Sequence, residues 1–124
     1  MKNLIILISF FLIVISSGKA FSENWVFVTE NTRGTQFYFD KESLVLNNDT
    51  VSFNVKVVPN KSFEIKFELC KWDISLLSKE YRESNLLIYY QSGETFEMLV
   101  NRVRAIEPGS VAEQFYKYFA EKKE

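Results

Sequence analysis

From Trp25 to about Ile106, apolar and polar residues alternate with a period of two, the signature of strands that lay one face on a core. Trp25 to Glu30 reads as a first strand, Asn31-Thr32-Arg33-Gly34 as a turn, and Thr35 to Asp40 as a second strand. That phase places Phe37 and Phe39 on one side and Gln36 and Tyr38 on the other, and a tight hairpin joins the two strands. Asp40-Lys41-Glu42-Ser43 suits a single helical turn in which Asp40 accepts from the following amides. Leu44-Val45-Leu46 then resumes the extended chain, and Asn47-Asn48-Asp49 turns it again.

The clearest alternation is central. Val51, Phe53, Val55 and Val57 are interleaved with Ser52, Asn54 and Lys56, while Phe63, Ile65, Phe67 and Leu69 are interleaved with Glu64, Lys66 and Glu68. Pro59-Asn60-Lys61 marks the reversal. This predicts two long strands sharing one apolar and one charged face, with register held by the eight apolar side chains that a one-residue slip would expose. Carried to its end, the alternation puts Cys70 on the charged face with Glu64 and Glu68.

Beyond Trp72 the pattern is looser. Ile74 to Arg82 and Leu86 to Gln91 read as strands around Glu83-Ser84-Asn85, with a helix as the alternative for Ile74 to Arg82, where Leu77, Lys79 and Glu80 tolerate one. Ser92-Gly93 turns the chain into a last strand, Thr95 to Ile106. Pro108-Gly109 ends it, and Ser110 stands three before Glu113, a capping box at the mouth of a helix. Val111, Phe115, Tyr118 and Phe119 follow at helical spacing, so an apolar stripe can lie across the sheet. Lys122 and Lys123 suit the negative end of its dipole. The fold class expected is α+β, mainly antiparallel β, with one C-terminal helix on the sheet.

The first twenty residues follow a different rule. Lys2 precedes an apolar run from Leu4 to Ile15 broken only by Ser9, and Gly18 and Ala20 occupy the −3 and −1 positions of a cleavage site. This is the pattern of a secretory signal peptide, and a run of about a dozen residues falls short of the roughly twenty that a spanning helix needs, which leaves a membrane anchor as the weaker reading. Cleavage after Ala20 would divide the chain into a signal peptide, 1–20, and a single domain, 21–124. That domain keeps thirteen of the fifteen Lys and Arg against all sixteen Asp and Glu, a formal charge of about −3, so nucleic acid is not an expected partner. Ten of the twelve Phe lie in that domain and allow it to bury large side chains.

Cys70 is the only cysteine of the 124 residues, which excludes an intrachain disulfide and leaves it either buried and inert or paired with another chain. There is no histidine to activate it. Glu64 and Glu68 lie about 13 Å apart on a strand rising ~3.3 Å per residue, wider than the carboxylate pairs of glycoside hydrolysis. The four glycines are scattered and make no phosphate cradle. Neither enzyme activity nor a metal or other cofactor is expected. Asn48-Asp49-Thr50 and Asn60-Lys61-Ser62 match the glycosylation triplet at a frequency near chance and read as turn residues. Candidate binding residues are Arg102 and Arg104 on one strand face, with Lys79 and Arg82 as neighbours, and the pair Tyr89-Tyr90, one ring of which should face the core and the other a partner.

Taken in order, Asn24-Trp25-Val26-Phe27-Val28, Phe37-Tyr38-Phe39-Asp40 followed by Ser43-Leu44, the Val51 to Val57 strand, Cys70 after a long strand, Tyr90 shortly before Gly93, and Ile106-Glu107-Pro108-Gly109-Ser110 ahead of the helix resemble the surface-adhesin protein E family of bacterial exported proteins. The resemblance implies an antiparallel sheet of about six strands with the helix packed on it. It also implies an envelope protein whose partner is a protein, including host extracellular matrix. Members of that family commonly join the mid-chain cysteine to one in the final helix; here Phe119 or its neighbour stands at that place, so Cys70 lacks the partner. A lipidated leader would need a cysteine where Lys19 follows Ser17-Gly18, so no membrane anchor is expected after cleavage. An exported protein-binding module and a soluble periplasmic structural or inhibitor-like β domain are therefore the two readings, located in the periplasm or at the cell surface. A free sheet edge would also permit a homodimer.

Overall fold

Seven strands form one antiparallel sheet in a computed structural model of the protein, which describes residues 24–62 and 64–123. They are β1 (Trp25–Glu30), β2 (Gln36–Asp40), β3 (Val45–Asn47), β4 (Thr50–Val58), β5 (Ile65–Ser75), β6 (Glu80–Tyr90) and β7 (Thr95–Ala105), followed by the helix α1 (Val111–Lys123). The spatial order is β1-β2-β4-β5-β6-β7, with β3 folded back on the start of β4. The expected fold class is the observed one. The leader read over residues 1–20, and Phe63, lie outside the described residues.

Local chemistry explains the N-terminal half. Asn31 Oδ1 accepts from the amides of Arg33 at 2.9 Å and Thr35 at 3.0 Å, closing the first hairpin around Gly34 at φ +83°. Asp40, 4% exposed, accepts from Glu42 N at 3.0 Å and from Asn24 N at 3.1 Å, so one carboxylate caps the short 3-10 turn Lys41–Ser43 and holds the start of β1. Ser43 Oγ donates to Asp40 O and accepts from Asn54 N at 2.8 Å, tying that turn to β4.

The core lies between the sheet and α1. Phe53 stacks on Phe115 with centroids 5.5 Å apart and meets Phe119 at 4.7 Å, while Trp72 packs on Phe115 at 4.9 Å and Phe39 on Phe119 at 5.1 Å. Val51, Val55, Cys70, Ile74 and Ala112 complete it. The helix begins as the capping pattern predicts, with Glu113 N donating to Ser110 Oγ at 3.1 Å. The return arm differs: Glu113 Oε1 takes the amide of Gly109 at 3.0 Å, one residue before the cap, because the Ser110 amide is already committed to Glu107 O at 3.2 Å.

Two expectations are corrected. Val55 pairs with Cys70, Phe53 with Trp72 and Val57 with Glu68, whereas Lys56 pairs with Leu69. Directly opposed residues project from the same face, so Cys70 lies on the core face and Phe67 and Leu69 lie on the other, opposite to the expected common apolar face. Each strand alternates as predicted; the register of the pair reverses their relative phase. The second correction is the turn after β5. It falls at residues 76–79, where Lys79 N reaches Ser75 O at 3.0 Å, and Glu83-Ser84-Asn85 lies within the continuous β6 as a bulge with Asn85 at φ +55°. The helical alternative for Ile74 to Arg82 is not adopted.

Candidate functional site

The face of the sheet away from α1 carries a row of directly opposed residues that crosses six strands: Phe27, Tyr38, Lys56, Leu69, Leu87 and Glu97. The strands position this row because each contributes the residue one step out of phase with its core-facing neighbour. Phe27 and Tyr38 meet edge to face at 5.6 Å, and Phe27 is 51% exposed. The Tyr38 hydroxyl donates to Gln36 Oε1 at 2.8 Å.

Lys56 organises the middle of this face. Its Nζ lies 4.7 Å from the ring centre of Phe67 and 5.6 Å from that of Trp25, bridging two rings with one ammonium group. Phe67 in turn stacks on Tyr89 at 4.4 Å with ring planes 24° apart. The result is a continuous series, Trp25, Lys56, Phe67 and Tyr89, of half-buried side chains on a face that no helix covers among the described residues. A cleft of about 250 Å³ beside it is lined by Trp25, Asn54, Leu69, Lys71, Leu87 and Glu97. That is below the usual size of a pocket for a small molecule, and a broad aromatic face with a cationic centre suits contact with a protein.

The four residues singled out in the sequence do not form one site. Tyr89 belongs to this face, while Tyr90 projects from the opposite face and lines a cleft with Glu64, Ser92 and Glu94. Neither ring belongs to the core, contrary to the expectation that one would fill it. Arg102 pairs with Glu83 at 3.6 Å and Arg104 stands opposite Tyr81, both on the helix-bearing face. Tyr89 is opposite Thr95, so Arg104 is nine residues, or about 30 Å, along β7 from it. The aromatic residues Trp25, Tyr38 and Phe67 were missed as surface groups. Their only sequence signal is the alternation itself, which does not say which phase faces out.

The titratable groups on the helix-bearing face are shaped by burial. Desolvation pushes the Cys70 thiol up to about 12, reinforced by the nearby Glu83 and Glu68 carboxylates and opposed by the indole N–H of Trp72. That N–H is buried with no hydrogen-bond partner of ordinary geometry among the described residues. Burial, then Glu83, likewise raises Glu68. Cys70 is therefore a protonated thiol and no nucleophile. A third cleft, of about 270 Å³, brings Asp73 and Glu80 near Arg82 and Ser75, but Asp73 is held by Ser52 Oγ at 2.5 Å and no base is paired with a nucleophile there. Among the described residues, no group of three or more His, Cys, Asp or Glu is placed to hold a metal ion, and no helix is long and apolar enough to cross a membrane.

No protein-family model matches the chain, and no curated protein matches it either. Solved structures do. Crystal form II of Haemophilus influenzae protein E superposes with a TM-score of 0.62 over 79% of this chain and 87% of that one, at 11% identity. The selenomethionine form of the same protein gives 0.58 over 78% and 85%, and protein E from non-typeable H. influenzae gives 0.52 over 75% and 72%, both again at 11% identity. The ordered motifs that pointed to this fold are thus borne out at the level of architecture: the chain has the fold of H. influenzae protein E.

Proposed function

We propose that this chain is an exported, adhesin-like protein-binding module, delivered by cleavage of a leader after Ala20, and that it grips its partner with the aromatic face away from α1. The observation that carries the reading is the series Trp25, Lys56, Phe67 and Tyr89, which places large aromatic surface outside the core on a face that the described residues leave open. Aromatic side chains with a cationic group among them are the composition of interface centres. The shared fold with protein E supports a protein partner of the kind the family resemblance implies, host extracellular matrix included.

The test is capture from host-matrix and envelope extracts by the wild-type protein, Phe67→Ala and Tyr89→Ala. The expected result is a partner bound at micromolar concentration and weakened at least about tenfold by either substitution, the loss of one interface anchor. Recovery of no partner, or equal capture by all three proteins, would sink the assignment. Protease shaving of whole cells then separates the two locations: digestion marks the cell surface, and protection marks the periplasm.

A further inference from the structure

Among the described residues, α1 covers only part of the face it packs on. Phe115 lies over Phe53 and Trp72, and Phe119 over Phe53 and Phe39, so the helix crosses the strands from β5 to β2. Four residues further along the same two strands, Val57 and Glu68 stand directly opposed, and their row continues through Ile88 of β6 to Phe96 of β7. Four residues of strand are about 13 Å, more than the roughly 8 to 10 Å between the axes of packed helices. The face therefore has room for a second helix beside α1. Its side chains suit one: Val57, Leu86 and Ile88 are half-buried, and Phe96 and Met98 are 48% and 44% exposed, which extends the core as an apolar shelf. Glu68 stands half-buried among them, with no hydrogen bond or ion pair on its carboxylate among the described residues. The Arg102 guanidinium is already engaged by Glu83 at 3.6 Å. Burial, then the Glu83 charge, pushes Glu68 above the usual carboxylate range, the mark of a carboxylate short of a cation.

We propose that this shelf docks an amphipathic helix of a partner protein, laid alongside α1, with one arginine or lysine on its apolar stripe reaching Glu68. Charge complementarity selects the occupant. A wholly apolar stripe would bury the Glu68 carboxylate without a partner, which opposes docking, whereas a basic residue in the stripe pairs with it as water leaves. The row from Val57 to Phe96 crosses four strands, about 14 Å, and roughly ten residues of helix cover that length. A stripe that returns every three or four residues then sets apolar neighbours one turn before and after the basic residue, against Val57 on one side and Ile88, Phe96 and Met98 on the other. This shelf lies on the opposite side of the sheet from the series Trp25 to Tyr89 and does not depend on that series.

Fluorescence anisotropy on protein purified from cells expressing the full chain tests the proposal. The probe is a labelled, end-blocked synthetic peptide of about fifteen residues, with leucine along one helical stripe, arginine at the middle of that stripe, and alanine and glutamine elsewhere; a second peptide carries glutamine in place of the arginine. The arginine peptide should bind with micromolar affinity and at least about tenfold more tightly than the glutamine peptide. Glu68→Gln should remove that preference by weakening the arginine peptide alone, whereas Phe96→Ser should weaken both peptides. Phe96 is exposed, so its variant should keep the wild-type circular dichroism spectrum. Phe67→Ala, on the other side of the sheet, should leave both affinities unchanged. No binding of the arginine peptide at about 1 mM overturns the proposal. So do equal affinities of the wild-type protein for the two peptides, a preference that survives Glu68→Gln, and a loss of binding in Phe67→Ala.

Discussion

Val55 and Cys70 face each other directly across the β4–β5 ladder, and both are buried beneath α1 at 0% and 7% exposure. This one pairing decides which side of the central hairpin is core. It places the only cysteine where neither reagents nor water reach it easily, and it sends Phe67 and Leu69 to the opposite face.

Cys70 should therefore react with a maleimide only as fast as the chain opens. Its stability effect has a defined sign. The folded chain keeps the proton up to about 12, while the unfolded chain loses it near the ordinary value of 9.0, so unfolding releases a proton in that window and stability falls as pH rises through it. The stabilisation is fully present below pH 9. Urea melts between pH 8 and pH 11 should show a decline approaching 1.4 kcal/mol per unit, the limiting slope for one proton, and Cys70→Ala should flatten it. An undiminished slope in the variant would assign the decline to other groups.

Phe115, at 0% exposure, fills the space between Phe53 and Trp72. Phe115→Ala should cost about 3 to 5 kcal/mol, since it removes the ring and leaves a cavity that a seven-stranded sheet cannot collapse to fill. Phe27→Ala, on the uncovered face, should cost about 1 kcal/mol or less. Chemical denaturation of both variants checks the contrast, and a similar loss at both sites would contradict the assignment of faces.

Gly34 is needed twice over. Its φ of +83° suits glycine, and a Cβ there would come within 2.6 Å of Asn60 Nδ2 and 3.0 Å of Asn60 Cβ. Gly34→Ala should cost at least about 1 kcal/mol from conformation alone, and Asn60→Ala in the same chain should return only the part that comes from the side-chain amide. A double-mutant cycle with no coupling between the two positions would show that the first turn moves away from the β4–β5 loop.

Ser110 supplies the first bond of α1, so Ser110→Ala should cost about 1 kcal/mol. Glu113 accepts from Gly109 N and pairs with Lys117 Nζ at 3.6 Å, so Glu113→Ala should lose the amide partner and a weak exposed ion pair together. Thermal melts with and without 1 M salt would separate them, as salt screens only the second.

Much of the architecture was legible because its causes are local. Asn31 closing a hairpin, Asp40 capping a 3-10 turn and Ser110 opening a helix each act over four residues or fewer along the chain. The turn after β5 was less legible. Ser75 to Lys79 has neither glycine nor proline, whereas Asn85, which looked like a turn, adopts its positive φ inside β6 as a bulge. The candidate face was read only through Tyr89, because its other members sit on strands whose two faces both carry apolar residues.

The succession of strands up to Trp72, the C-terminal position of the helix and the absence of any nucleophile paired with histidine follow from residue types and periods alone, since a period of two or of 3.6 is a property of a single segment. Which face is inside does not follow. β5 is apolar at Phe67 and Leu69 in one phase and at Cys70, Trp72 and Ile74 in the other, so period alone supports either choice. Only the pairing of Val55 with Cys70, fifteen residues apart, and the docking of Phe115 and Phe119 over that phase decided it. Non-local contacts bury the larger aromatic group on one side, and the residues left on the other become the surface available to a partner.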